Sequence, residues 1–180
     1  VPRAEVLAAT RRVEAEGEID RDALLRDLSD FGYLRAPVVE DPGSVSVRGA
    51  LIDVWPPDAP LPVRIETYGD LVTSIRAFDP DEQRTLPAGS LHEVFLPPAR
   101  EGLSAREHVA RARGRVGDLT DRIDWPTMKA RALIDDVCAG RAFFGAEGWL
   151  PAYYERLAPL AEYLPDDALI ALEDPEAIAA

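Results

Sequence analysis

Apolar positions recur at helical spacing over one stretch near the start of the chain, and then the period switches to two. Leu24, Leu28 and Phe31 fall three and four residues apart, the spacing that lines one side of a helix. Asp20 stands where a side chain can accept from the free amides of a first turn, Ile19 where it can staple onto Leu24, and Gly32 where a left-handed residue commonly closes a helix. Together these predict a helix over about residues 21–31. Beyond it Val45 and Val47 alternate with serines, and residues 50–55 form a short apolar run stopped by Pro56-Pro57. Val63, Ile65 and Thr67 then alternate with Arg64, Glu66 and Tyr68. Gly69-Asp70 is a two-residue hairpin signal, after which the chain returns through Leu71 to Phe78. Leu91 to Leu96 predicts a last strand before Pro97-Pro98. One helix and about five short strands joined by tight turns predict an α+β fold, an antiparallel sheet with a packed helix.

After Pro98 the pattern becomes mostly helical. Ser104-Ala105-Arg106-Glu107 has the form of a capping box and predicts a helix that Gly114 or Gly117 ends. Pro126 opens a second helix through Met128, Leu133, Ile134 and Val137 to Gly140, and a glycine-aromatic segment follows over residues 143–151. Ala168 to Leu172 is a continuous apolar run, which predicts a buried strand. Such a strand needs neighbours supplied by crossovers. None is visible, so its sheet is expected to lie largely outside this chain, which reads as a cut from a longer protein. The best internal boundary is Pro97-Pro98, with a sheet domain before it and a segment of another domain over 99–180.

Charge and composition narrow the chemistry. The formal net charge is −13, and both halves of the chain carry an excess of acids. Neither has the positive footprint of autonomous nucleic-acid binding. All but one of the 20 basic residues are arginine, the exception being Lys129. The single cysteine, Cys138, reads as a small core residue on the apolar side of its helix and allows no internal disulfide, which suits a reducing cytosol. No phosphate-cradling glycine motif is present. His92, in a strand, and His108, in a charged helix, read as ordinary surface or hydrogen-bonded residues. The adjacent acids Asp81-Glu82, Asp135-Asp136 and Asp166-Asp167 suit solvent better than acid–base work, which needs opposed carboxyls in a cleft. Glu173-Asp174 stands where a nucleotide hydrolase holds its magnesium acid, but without a phosphate loop it is idle. No catalytic set and no cofactor is expected.

What remains is a surface. By the period of two, Arg64, Glu66 and Tyr68 share the face opposite Val63 and Ile65, and Arg48 ends the strand before Gly49. Arginine and tyrosine are enriched at interface hot spots, although a solvated polar face is the commoner meaning of such a pattern.

Longer runs of residues carry a resemblance. Residues 43–56, G-S-V-S-V-R-G-A-L-I-D-V-W-P, are similar to a run shared by UvrB and the bacterial transcription-repair coupling factors. Residues 62–70, P-V-R-I-E-T-Y-G-D, resemble their P-(V/I)-R-(I/L)-(E/D)-F-F-G-D, and Ser74-Ile75-Arg76-Ala77-Phe78-Asp79 resembles S-I-R-x-F-D. Gln83-Arg84-Thr85 favours the coupling factors. Gly145-Ala146-Glu147 and Tyr163-Leu164-Pro165 extend the likeness toward the end of the chain.

The resemblance implies a UvrB domain 2-like module over 17–98, inserted in a degenerate helicase-like domain of which 1–16 is the end of the leading segment or a linker, and whose returning half is 99–180 and ends in the strand at 168–172. It implies UvrA as the partner, with Arg48, Arg64 and Tyr68 at the contact positions and Glu66 beside them. Thr67 departs from the first family aromatic, and Tyr68 adds a hydroxyl to the second. Reversal of either arginine is expected to abolish binding without unfolding the domain. The parent would be a bacterial cytoplasmic ATP-dependent DNA translocase that clears stalled RNA polymerase and recruits excision repair. Its ATP and magnesium, and its contacts with DNA and polymerase, would lie in other parts. The alternatives are a fragment of UvrB, or a structural or autoinhibitory domain whose same face packs on another part of the parent.

Overall fold

In a computed structural model of the chain, residues 1–139, 141, 145–171 and 173 are described. The elements run α1 (Arg3–Ala8), β1 (Arg11–Glu14), α2 (Arg21–Asp30), β2 (Leu34–Arg35), β3 (Ser44–Arg48), β4 (Leu51–Val54), β5 (Val63–Tyr68), β6 (Leu71–Asp79), β7 (Arg84–Leu91) and β8 (Glu93–Leu96). Then come α3 (Arg106–Arg122), α4 (Thr127–Cys138) and the short α5 (Leu150–Tyr153), with 3₁₀ turns at Ala146–Trp149 and Leu160–Tyr163. The protein is α+β, as the period change predicts.

Helix α2 begins where its cap dictates, with Asp20 Oδ1 accepting from the Ala23 amide at 2.8 Å. It ends against Gly32, whose φ of 87° suits a residue without a Cβ. Six strands form one sheet in the order β2-β3-β4-β5-β6-β7, antiparallel except for the short β2–β3 pair. The register aligns Val47, Ile52, Ile65 and Ile75 across four strands, and Val45, Val54, Val63 and Ala77 in the row beside them. These rows and Val72 form the inner face, which shares one apolar cluster with Leu24 and Leu28 of α2. That cluster continues through Phe31, Leu96 and Leu103 to Ala112 and Val116 of α3, Val137 of α4, and Tyr153 and Tyr154. Fully burying a side chain of this kind contributes roughly 1.5–3 kcal/mol, so the sheet and the helical part stabilise each other.

Several expectations need correction. The run 91–96 is split at His92. Leu91 closes β7, whereas Glu93–Leu96 leaves the main sheet to pair antiparallel with β1 in a separate two-stranded ribbon. His92 is therefore exposed between strands rather than within one. Helix α3 runs through both Gly114 and Gly117. His108, Ala112, Val116 and Thr120 keep one of its sides buried, and that packing outweighs a helix penalty of about 1 kcal/mol per glycine. Its N-cap is Ala105, one residue past Ser104, and no side chain caps it; the Ser104 amide that Glu107 would accept from in a capping box donates instead to the Asp30 carbonyl at 2.8 Å. Cys138 lies on the exposed side of the last turn of α4, not in the core, and Met128 is exposed as well. Residues 168–171 form no strand, and Leu169 and Ile170 are exposed. No described strand lies alongside them to satisfy their backbone groups. Gly140, Phe143, Phe144, Leu172 and Asp174 lie outside the described residues.

Candidate interaction surface

The period of two that buries one sheet face sets the other. Its central row is Ser46, Asp53, Arg64 and Arg76, paired across β3, β4, β5 and β6. The next row is Arg48, Leu51, Glu66 and Ser74. Tyr68 opposite Leu71 closes the hairpin tip, where Gly69 takes a φ of 61°. A bulge between Glu66 and Thr67 shifts the β5–β6 register just before the tip.

Asp53 organises this face. Its side chain is 1% exposed, although it carries a carboxylate. Arg64 Nε donates to Oδ1 at 2.7 Å and Nη2 to Oδ2 at 2.9 Å, a two-pronged pair, while Arg48 Nη2 donates to Oδ2 at 2.7 Å. A buried carboxylate needs such partners, because leaving it unpaired costs several kcal/mol. The third nitrogen of Arg64, Nη1, donates to the Gln83 carbonyl at 3.3 Å, and its guanidinium lies over the Phe78 ring at 4.8 Å. The Asp53 hydrogen bond is the largest influence raising the pKa of Arg64 above its ordinary value; burial opposes it, and the charges of Asp53 and Glu66 add to it. Gln83 Nε2 in turn donates to the carbonyls of Val39 and Pro80, so the loops before β3 and after β6 are tied together. Val39 and Phe78 are fully buried, yet neither belongs to the main apolar cluster.

The residues singled out from the sequence thus have different surroundings. Arg48 and Arg64 meet on Asp53, but the Arg48 side chain is 45% exposed and that of Arg64 only 12%. Tyr68 is 83% exposed. Glu66 lies between Arg64 and Tyr68 on β5 and is half-buried. Thr67 turns inward, and its Oγ1 donates to the Ala50 carbonyl at 3.0 Å. Two further residues belong to the face. Asp53 could have been found as an acid in the middle of a short apolar strand, flanked in sequence by Arg48 and Arg64. Arg76 could have been found by carrying the alternation onto β6, where it falls opposite the apolar Val72, Ile75 side; it is exposed.

Other titratable groups are engaged in packing. His108 is buried, with Nε2 3.2 Å from Glu5 Oε2 and its ring edge-on to Tyr154 at 5.3 Å. Burial pushes the Tyr154 hydroxyl up to about 12, while the Leu103 amide that donates to it pulls the other way. Among the described residues no cluster of three or more His, Cys, Asp or Glu is placed to hold a metal. Among them, too, no helix is long and apolar enough to cross a membrane.

A one-sided sheet with an arginine–aspartate plate and a projecting tyrosine defines a protein-interaction module. Residues 12–101 match the UvrB interaction domain, from β1 to just past β8, and the chain belongs to that family. It is 43% identical over 180 residues to the transcription-repair-coupling factor of Myxococcus xanthus, covering 97% of this chain and 15% of that protein. The coupling factor of Bacillus subtilis is 29% identical over 97% of this chain, which spans 16% of it. UvrABC system protein B of Thermosipho africanus is 27% identical over 87% of this chain and 26% of its own length. The chain therefore spans less than a fifth of the coupling factors it resembles, and the module it contains is a non-catalytic one.

Proposed function

We propose that the chain is the UvrA-docking part of a transcription-repair coupling factor, with the face that carries Arg48, Arg64, Glu66 and Tyr68 turned toward UvrA. The observation that carries the reading is the 83% exposed Tyr68, projecting from the hairpin tip on the same face as a half-exposed Arg48. An aromatic ring left in water on one face with an oriented guanidinium is the composition of an interface anchor. In this reading residues 17–98 are the docking domain. Residues 1–16 lead into it, and β1 within them is held to β8 by the ribbon. Residues 99–180 are the returning half of a helicase-like domain. ATP-driven translocation, and contacts with RNA polymerase and DNA, belong to other parts of a cytoplasmic parent. Retention of UvrA by the immobilised chain tests the reading. The wild type retains it, and the Arg48→Glu/Tyr68→Ala double variant does not. Equal retention by both would remove this face from the interaction.

A further inference from the structure

The two arginines taken as equivalent contacts are not equivalent. We infer that UvrA meets Arg48 and Arg76 directly, while Arg64 is a positioning residue that never leaves Asp53. This rests on the UvrA-docking reading above and divides the work within it.

A guanidinium recognises a carboxylate by presenting two parallel N–H groups along one edge. Arg64 has already used Nε and Nη2 on Asp53, and its Nη1 points to the Gln83 carbonyl. One face of its guanidinium is covered by Phe78 at 4.8 Å, and the side chain is 12% exposed. To reach a partner it would have to abandon a carboxylate that is itself 1% exposed. Arg48 differs. Among the described residues its Nη2 alone is engaged, on Asp53 Oδ2, and nearly half of the side chain faces water. Asp53 fixes the direction of Arg48 and leaves its other nitrogens available.

Arg76 supplies a second cation on this face that a partner can reach. It stands directly opposite Arg64 on β6 and opposite Ser90 on β7, on the same outer face, and it is exposed. No hydrogen bond or ion pair is found for it among the described residues. Like charges facing each other across a sheet are unfavourable. Here three arginines, Arg48, Arg64 and Arg76, stand against two acids, Asp53 and Glu66, in two neighbouring rows of the face. The patch is therefore locally positive in a chain whose net charge is −13. A carboxylate brought by the partner relieves that excess. The matching surface on UvrA is accordingly acidic at two points, with an apolar slot for the Tyr68 ring between or beside them.

A double-mutant cycle on UvrA affinity tests the assignment, with every variant checked by circular dichroism to be folded at the assay temperature. Arg48→Ala is expected to weaken binding about 30-fold and Arg76→Ala about tenfold. These two effects multiply, because the contacts are separate. Arg64→Gln weakens binding in the wild-type background but adds less than about twofold on top of Arg48→Ala, since its effect passes through Arg48. If Arg64→Gln does not fold, Arg64→Lys serves instead. It keeps a cation on Asp53 and should hold affinity within about threefold, whereas loss of a direct bidentate contact would cost about tenfold or more. Unchanged affinity for Arg76→Ala overturns the proposal. So does an Arg64→Gln effect that is undiminished in the Arg48→Ala background, or an Arg64→Lys loss of tenfold. Unchanged affinity for Arg48→Ala and Tyr68→Ala together would instead overturn the docking reading itself.

Discussion

Replacement of Asp53 by asparagine isolates what holds the outer face together. The change keeps the shape but removes the charge, and it turns one of two acceptor oxygens into a donor facing an arginine. Two contacts are at stake, and they are unequal. The Arg64 fork is shielded, with the two side chains 12% and 1% exposed. Breaking a buried pair by removing one partner costs roughly 3–5 kcal/mol. The Arg48 arm is 45% exposed, so solvent screening leaves it at most about 1 kcal/mol. Asparagine can still accept one hydrogen bond through its remaining oxygen, which favours the lower end. The expected loss is about 3 kcal/mol of unfolding free energy. For a chain of 180 residues this corresponds to a fall in Tm of about 6–12 °C. Urea and thermal unfolding followed by circular dichroism measure it directly. A loss under about 1 kcal/mol would mean that Asp53 does not anchor the arginines, and the distinction drawn between Arg48 and Arg64 would fail with it.

Other outcomes follow from the same geometry. Arg64→Glu, which sequence resemblance alone treats as a clean surface reversal, sets a second carboxylate against Asp53; it should lower Tm as well as binding, whereas Arg48→Glu should lower binding with Tm within about 3 °C of wild type. Gly114→Ala and Gly117→Ala meet nothing within 4 Å of the added methyl group. Each should stabilise α3 by about 0.5–1 kcal/mol, and a fall in Tm for either would show that the groove beside α3 is closed. The Tyr154 hydroxyl, at about 12 in the folded protein against about 10 unfolded, favours the protonated form on folding. That stability is complete below about pH 10 and is lost as pH rises toward 12, so urea midpoints should fall across that window, and less steeply in Tyr154→Phe.

Much of the sheet domain was legible because its side chains obey simple periods. Leu24 and Leu28 mark α2, and the alternation through Val45, Ile52, Ile65 and Ile75 marks four strands with one buried face. The elements that escaped are those whose residues bury little. In β1 only Val13 is buried, β2 is two exposed residues, and β7 is an edge strand interrupted by Pro87. There the backbone pairing decides, and no hydrophobic signal announces it. The length of α3 was hidden for the opposite reason, since tertiary packing of Ala112 and Val116 overrides two glycines whose local preference is to stop a helix. At the candidate site the alternation placed Arg64, Glu66 and Tyr68 on one side correctly in pattern. It could not show that Arg64 is tied to Asp53, because that bond joins strands eleven residues apart in sequence and depends on register. The same blindness to register left Arg76 out of the set.

The proposed docking of this face onto UvrA uses contacts that the fold itself does not need. Isothermal titration of UvrA with the wild-type chain and with Arg48→Glu at equal salt tests it most directly. The account predicts saturable binding for the wild type and loss of measurable binding for Arg48→Glu, with both proteins unfolding at the same temperature within about 3 °C. Saturable binding of the same affinity by the two proteins, or no binding by the folded wild type, would contradict it.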